Sequence, residues 1–292
     1  MKHFLLIILI FCSGHVLAQP DSTKVKNWEL KGIAGINFSQ TSLSNWSAGG
    51  ENSLAGNSYL NGALIYKKGG WIWENNLVLE YGLAKTKSEG LKKSTDKIDF
   101  ATKLGYSTDN KWYYTVLADF KSQFYKGYNY PNKDNYISKF AAPAYSNISA
   151  GMEYRPNDNF SLFFSPATGK MTFVNDDYLS DLGSFGVDPG DKFKSEFGTY
   201  LKTRFQKDLM ENVNLISTAN FFTAYNSSFG NVDIEWDMII SMKINKFLTA
   251  NINTTLKFDD DVKYIDQDGV ARAARVQFKE ILGIGLAYNF KH

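Results

Sequence analysis

Residues 232–244 read VDIEWDMIISMKI, and the reading of their alternation decides the fold. A period of two places Val232, Ile234, Trp236, Met238, Ile240, Met242 and Ile244 on one face of a strand, with Asp233, Glu235, Asp237, Ser241 and Lys243 on the other. A soluble sandwich turns such an apolar face inward to its core. A membrane barrel turns it outward to lipid and keeps the charges in a wet lumen. The segment alone fits both, so the rest of the chain has to separate them.

The first residues bear on compartment. Lys2 and His3 precede the apolar run FLLIILIF, and HVLA before Gln19 fits a cleavage site, so residues 1–18 read as a removed secretory signal. A lipoprotein reading around Cys12 is disfavoured because bulky Phe11 stands where a small residue belongs. Cys12 is the only cysteine, so the exported chain carries no disulfide framework. His3 and His15 leave with the signal, and His292 alone remains for any mechanism that needs a histidine base. No catalytic residue, cofactor or metal is therefore expected. The formal net charge of +2 gives no attraction to nucleic acid. Beyond the signal no run approaches the roughly twenty apolar residues of a spanning helix, so a membrane would be crossed by strands.

Alternating segments recur at 27–41, 53–67, 71–85, 95–107, 111–125, 144–155, 159–166, 193–207, 211–225, 231–244, 247–258 and 276–290. Twelve is an even count, as a single-chain barrel with both ends on one side requires. Connections after even-numbered strands are short and turn-like: KKGG at 67–70, STDN at 107–110, RPNDN at 155–159, KDLMEN at 207–212 and INK at 244–246. Most of those after odd-numbered strands are long, with extremes at 126–143, 167–192 and 259–275, and NSSFG at 226–230 is the exception. Short periplasmic turns and long extracellular loops explain this asymmetry, whereas a sandwich has no reason for it. The expected organisation is a signal at 1–18, a short periplasmic segment at 19–26 and an all-β antiparallel transmembrane barrel over 27–292, in the cell outer membrane. Eight residues at 19–26 leave no room for the plug of an active-uptake barrel.

In WYYTVLADFKSQF, Trp112, Tyr114, Val116, Ala118, Phe120 and Phe124 oppose Thr115, Asp119, Lys121 and Gln123. In VQFKEILGIGLAYNF only Glu280 breaks the apolar face. Rings at strand ends, such as Trp112, Phe124, Phe278 and Phe290, suit interfacial girdles. The same alternation puts Glu74, Glu80, Asp99, Asp119, Lys121, Glu153, Glu196, Lys202, Arg204, Asp233, Glu235, Asp237 and Lys243 on the lumen side.

Four motifs, NWSAGGENSLAGN at 45–57, SPATGKMTFV at 165–174, FGVDPG at 185–190 and FDDDV at 258–262, carry a family resemblance. Together they resemble an uncharacterised outer-membrane barrel family of Bacteroidetes, domain-of-unknown-function family 3078. The resemblance implies fold and location but no activity.

In the loops, Trp46 and Glu51 form either a ligand site or a latch folded back by Gly49 and Gly50. Tyr128, Tyr130 and Tyr136, among Asn and Lys, form either a saccharide-stacking surface or an interfacial rim. Acidic runs at Asp259, Asp260, Asp261, Asp266 and Asp268 and at Asp176, Asp177 and Asp181 are a start toward calcium but lack the other ligands at loop spacing. The expected partners are outer-membrane lipid, the barrel-assembly machinery and a small solute or saccharide. A narrow channel or binding barrel is the expected role, with a loop-based surface binder or a structural barrel as the alternative. An outer-membrane enzyme is the remote one.

Overall fold

The alternating segments become twelve antiparallel barrel strands in the computed structural model, which describes residues 27–42, 51–107, 109–226, 229–262, 264–265 and 271–292. They are β1 (Trp28–Thr41), β2 (Ser53–Lys68), β3 (Trp71–Thr86), β4 (Gly90–Ser107), β5 (Trp112–Ser122) and β6 (Ala144–Asn157). The second half comprises β7 (Phe160–Phe173), β8 (Phe193–Met210), β9 (Val213–Ala224), β10 (Asp233–Lys243), β11 (Leu248–Phe258) and β12 (Gln277–Lys291). Each strand pairs with its sequence neighbours, and β1 closes on β12 from Lys31 opposite Lys291 to Phe38 opposite Ile284. Closure removes every free edge. The signal 1–18, the segment 19–26, Trp46, Gly49, Gly50, Asp266 and Asp268 lie outside the described residues.

The partition of side chains is the inverse of a soluble core. Tyr114 and Val116 on β5, Ile148 and Met152 on β6, and Leu282, Ile284, Leu286 and Tyr288 on β12 are exposed on the outer wall. Thr115, Asp119, Ser149, Glu153, Asn37 and Asn251 are buried inside. Leu117, Phe163, Tyr200, Phe222 and Ala224, contributed by β5, β7, β8 and β9, form an apolar cluster within the barrel, and Ile65 of β2 and Ile72 of β3 are buried apart from it. Glu280 stands three residues into β12 at the long-loop end.

Rings gather in two belts. At the short-turn end Trp28 meets Tyr66 and Trp73, with centroids 4.9 and 5.8 Å apart, Trp71 meets Tyr106 at 4.9 Å, and Trp112 meets Tyr154 at 4.6 Å. At the other end Tyr81 meets Phe124 at 6.5 Å, Phe173 meets Phe193 at 5.2 Å and Phe197 meets Tyr225 at 5.7 Å. The tight turns need left-handed backbone, which Gly69 and Gly70 supply between β2 and β3 with φ of 55° and 84°.

Two strand limits differ from those expected by more than three residues. β4 starts at Gly90 rather than 95, so the connection to β3 shrinks to 87–89 and a second odd-side loop is short. β7 continues to Phe173 rather than stopping at 166, so SPATGKMTF is strand and the loop is 174–192. Both extensions pass through bulges. Register shifts between Gly82 and Leu83 opposite β4, and between Ala150 and Met152 opposite Ser165 and Pro166. A bulge accommodates a proline that has no N–H to donate.

Candidate functional site

Inward charges from strands far apart in the ring meet across the interior. β4 and β10 stand diametrically opposite among the twelve strands, yet Lys97 Nζ lies 3.5 Å from Asp237. Lys121 of β5 pairs with Glu235 of β10, whose other oxygen is 3.0 Å from Lys257. Toward the short-turn end, Arg155 of β6 grips Glu74 of β3 through two bonds of 2.8 and 2.9 Å. Between them Lys103 lies 2.9 Å from Glu74 and 2.6 Å from Glu153, a carboxylate only 1% exposed. Toward the long loops, Lys170 of β7 reaches Asp233 at 2.5 Å and Asp259 at 3.3 Å. Each pair replaces lost hydration with a direct countercharge, and those between non-adjacent strands bridge the lumen with side chains.

Of the remaining lumen candidates, Glu80 accepts from Thr95, Asp99 lies 3.6 Å from Lys97, and Glu196 lies near Lys170 and Lys194. Asp119 accepts from the Asn147 backbone and side chain. Lys202, Arg204 and Lys243 have no carboxylate within ion-pair distance among the described residues. Arg204 instead donates to Gln206. The cations that complete the network, Lys97, Lys103, Arg155, Lys170 and Lys257, were not among the expected lumen residues. The parity that selects Asp99 and Glu153 also selects Lys97, Lys103 and Arg155. A cavity of about 480 Å³ opens at the short-turn mouth, lined by Lys67, Lys68, Tyr113 and Arg155 among others.

The opposite mouth carries a folded cap. After β5 the chain makes a two-residue ladder between Gly127–Tyr128 and Tyr136–Ser138, and after β7 a short helix, α1 (Asp177–Asp181). Ala142, Val174, Leu179 and Val187 bury together, with Tyr136 and Phe185 packed on them. Asp176 clasps the two loops: its carboxylate accepts from the Tyr136 hydroxyl at 2.9 Å, from the Leu179 amide at 2.9 Å and pairs with Lys139. Burial pushes the Asp176 carboxyl up, but the Lys139 ammonium, the Leu179 amide and the Tyr136 hydroxyl outweigh it and hold its pKa below the ordinary value. The bond to Asp176 raises the pKa of both Tyr136 and Lys139. Gly186 abuts Asp261, which follows β11, so loop 174–192 leans over the mouth.

The loop candidates are largely engaged in holding loops. Glu51 accepts from the Ser88 amide at 2.9 Å and its hydroxyl at 2.8 Å, bonds that lower its pKa. The Tyr130 hydroxyl accepts from the Lys93 amide at 3.1 Å, and its ring meets Tyr128 edge-on at 6.0 Å. Lys126 sits over the Tyr136 ring. The described acidic residues do not gather into a metal-binding group. Asp259 and Asp261 pair with Lys170 and Lys194 instead.

Residues 38–128 match the model of a family described as a protein of unknown function, DUF3078. Of the four motifs that carry the resemblance, only that at 45–57 lies within the match. No curated protein sequence matches the chain. Among solved structures, the chain is similar to the translocator domain of autotransporter NalP from Neisseria meningitidis, at 8% identity over 92% of this chain and 90% of that one, with a TM-score of 0.38. It is also similar to an outer membrane channel from Pseudomonas putida F1, at 9% identity over 94% and 100% of the two chains, with a TM-score of 0.42.

Proposed function

We propose that this chain is an outer-membrane barrel whose narrow, ion-bridged lumen binds or conducts a small solute. The observation that carries the reading is that Lys97–Asp237 and Lys121–Glu235 join opposite walls through the interior of a barrel whose outer wall is apolar. Charges on the inside and apolar side chains between two aromatic belts on the outside suit a wet lumen and a lipid exterior. Twelve strands lie between barrels of about eight, whose side chains fill the interior, and porins of about sixteen, which are open. The ion pairs bring this barrel toward the filled end. The role is non-catalytic: the lumen chemistry is ion pairing and hydrogen bonding.

Planar-bilayer recording of the full chain tests it. The joint change Lys121→Ala with Glu235→Ala should raise unitary conductance by removing a bridge. Lys121→Ala alone should leave the lumen more acidic and favour cations, and Glu235→Ala alone should favour anions. Selectivity unchanged in all three would take the pair out of the pathway, and silence in every variant would contradict passage.

The folded cap favours a second reading, recognition at the long-loop surface. Binding that survives the lumen changes but is lost on replacing 123–143 by a short linker would select it.

A further inference from the structure

The two mouths of the lumen differ in charge. At the long-loop mouth Lys170 and Lys194 face four acids, Glu196, Asp233, Asp259 and Asp261. The cavity of about 480 Å³ at the short-turn mouth has the opposite balance: Lys67, Lys68 and Arg155 line it with one acid, Asp158. Arg155 is already matched, because it and Lys103 meet Glu74 and Glu153, two charges of each sign. The exposed ammonium groups of Lys67 and Lys68 have no ion pair or hydrogen bond among the described residues. Arg204, in the field of Arg155 and Glu74, also lacks a carboxylate within ion-pair distance among them.

The cavity opens inside the barrel wall. Ile72 shares the inward parity of Glu74, Tyr113 shares that of Thr115 and Asp119, and Lys67 is the register partner of Ile72. Tyr106, Trp112 and Tyr154 of the adjoining aromatic belt have the opposite, outward parity. Buried Ile72 and the half-buried Tyr113 ring give the cavity an apolar side, and the Arg155 guanidinium, 5.7 Å from the centroid of that ring, holds it in place. Asn157 Oδ1 accepts from the Asn159 amide at 2.9 Å, so Nδ2 is the end left to donate to a guest. The volume falls within the roughly 300–1,000 Å³ of small-molecule sites.

We infer that this cavity binds a small organic monoanion, a short carboxylate with an apolar body, taken up from the short-turn side. The inference rests on the reading of the lumen as a solute-binding interior and names the class of solute. Lys67 and Lys68 supply the countercharge, and Asn157 Nδ2 adds a hydrogen bond to the oxyanion. Ile72 and Tyr113 receive the carbon chain. With Arg155 matched inside its network, the two lysines against Asp158 leave one positive charge at the cavity, which suits a single carboxylate. A cleft lined by one sign of charge also concentrates counter-ions at its entrance. The same lysines could hold a lipid phosphate only by turning away from the inward side chains that share the cavity with them.

The test uses the full chain folded in the nonionic detergent dodecyl maltoside, with butyrate, butyramide and butylammonium as matched anionic, neutral and cationic probes. Saturation-transfer NMR titration should detect butyrate in preference to the other two, with affinity that falls as salt is added. The joint change Lys67→Gln with Lys68→Gln should weaken butyrate by about three- to tenfold. Lys246→Gln, on the turn between β10 and β11, should leave it unchanged. Band shift on boiling confirms that each variant is folded, and the exposed lysines have no bond whose loss would unfold the chain. Equal contact for butyrate and butyramide, or equal butyrate affinity in wild type and the double variant, overturns the site. Weakening by Lys246→Gln as large as by the double change also overturns it, in favour of a diffuse positive mouth. Phosphatidylglycerol retained in native mass spectra through Lys67 and Lys68, with no butyrate contact, gives the lysines to lipid head groups and overturns it too. Bilayer recording separates this inference from the reading beneath it: butyrate contact without current supports the site and contradicts conduction, whereas current without butyrate contact overturns the site and supports the channel.

Discussion

Met238 and Glu235 are three positions apart on β10 and face opposite solvents. Met238 shares the outward parity of Ile234, Trp236 and Ile240, while Glu235 meets Lys121 and Lys257 inside. A lysine at Met238 would stand near the middle of the lipid-facing side, at a cost of roughly 2–4 kcal/mol. Equilibrium unfolding from lipid vesicles should show that loss for Met238→Lys and a much smaller one for Ser241→Lys, on the hydrated face. At this scale the acidic half of the network was legible, because a carboxylate in an apolar-alternating strand has only one place to go. Lys97, Lys103 and Arg155 obey the same parity, but which cation meets which acid depends on strands up to half a ring apart.

The alternation identified all twelve barrel strands as elements, and the errors in their limits have local causes. Ser94, opposite the register shift at Gly82–Leu83, breaks the parity that would have carried β4 back to Gly90. Pro166 reads as a strand stop, yet the bulge there is closed by Ser165 Oγ, which lies 2.8 and 2.9 Å from the Ala150 and Ala167 carbonyl oxygens. The cap, by contrast, was not legible, because α1 and the Gly127–Ser138 ladder are too short for a period to show. Its clasp gives a pH prediction. Asp176 has a folded pKa below its ordinary value, so an unfolded cap binds the proton more readily than a folded one. Its stabilisation is present above the ordinary carboxylate pKa of about 3.9 and is lost as pH falls through the depressed one. Hydrogen exchange at 174–192 should therefore accelerate beyond its intrinsic pH dependence below about pH 4. Asp176→Asn should remove that response and leave the cap looser at neutral pH. A wild-type cap equally protected at both pH values would show that the clasp contributes nothing.

For the whole molecule, the short–long alternation of connections pointed to a barrel, and the even strand count agreed with it. Closure of β1 on β12 and the diametric pair Lys97–Asp237 are properties of the ring, visible only once its register is known. The central claim is that this ring is turned inside out relative to a soluble protein, apolar side to lipid and charged side to water. Single cysteines at Met238 and Glu235, in a chain whose one native cysteine, Cys12, lies in the expected signal, test it most directly. In reconstituted vesicles a cysteine at Met238 should resist a water-soluble thiol reagent, and a fluorophore attached there should be quenched by a lipid-dissolved quencher. A cysteine at Glu235 should react in water and escape the lipid quencher. If Glu235 is the position that meets lipid, or if neither does, the assignment of faces and the lumen built on it are wrong.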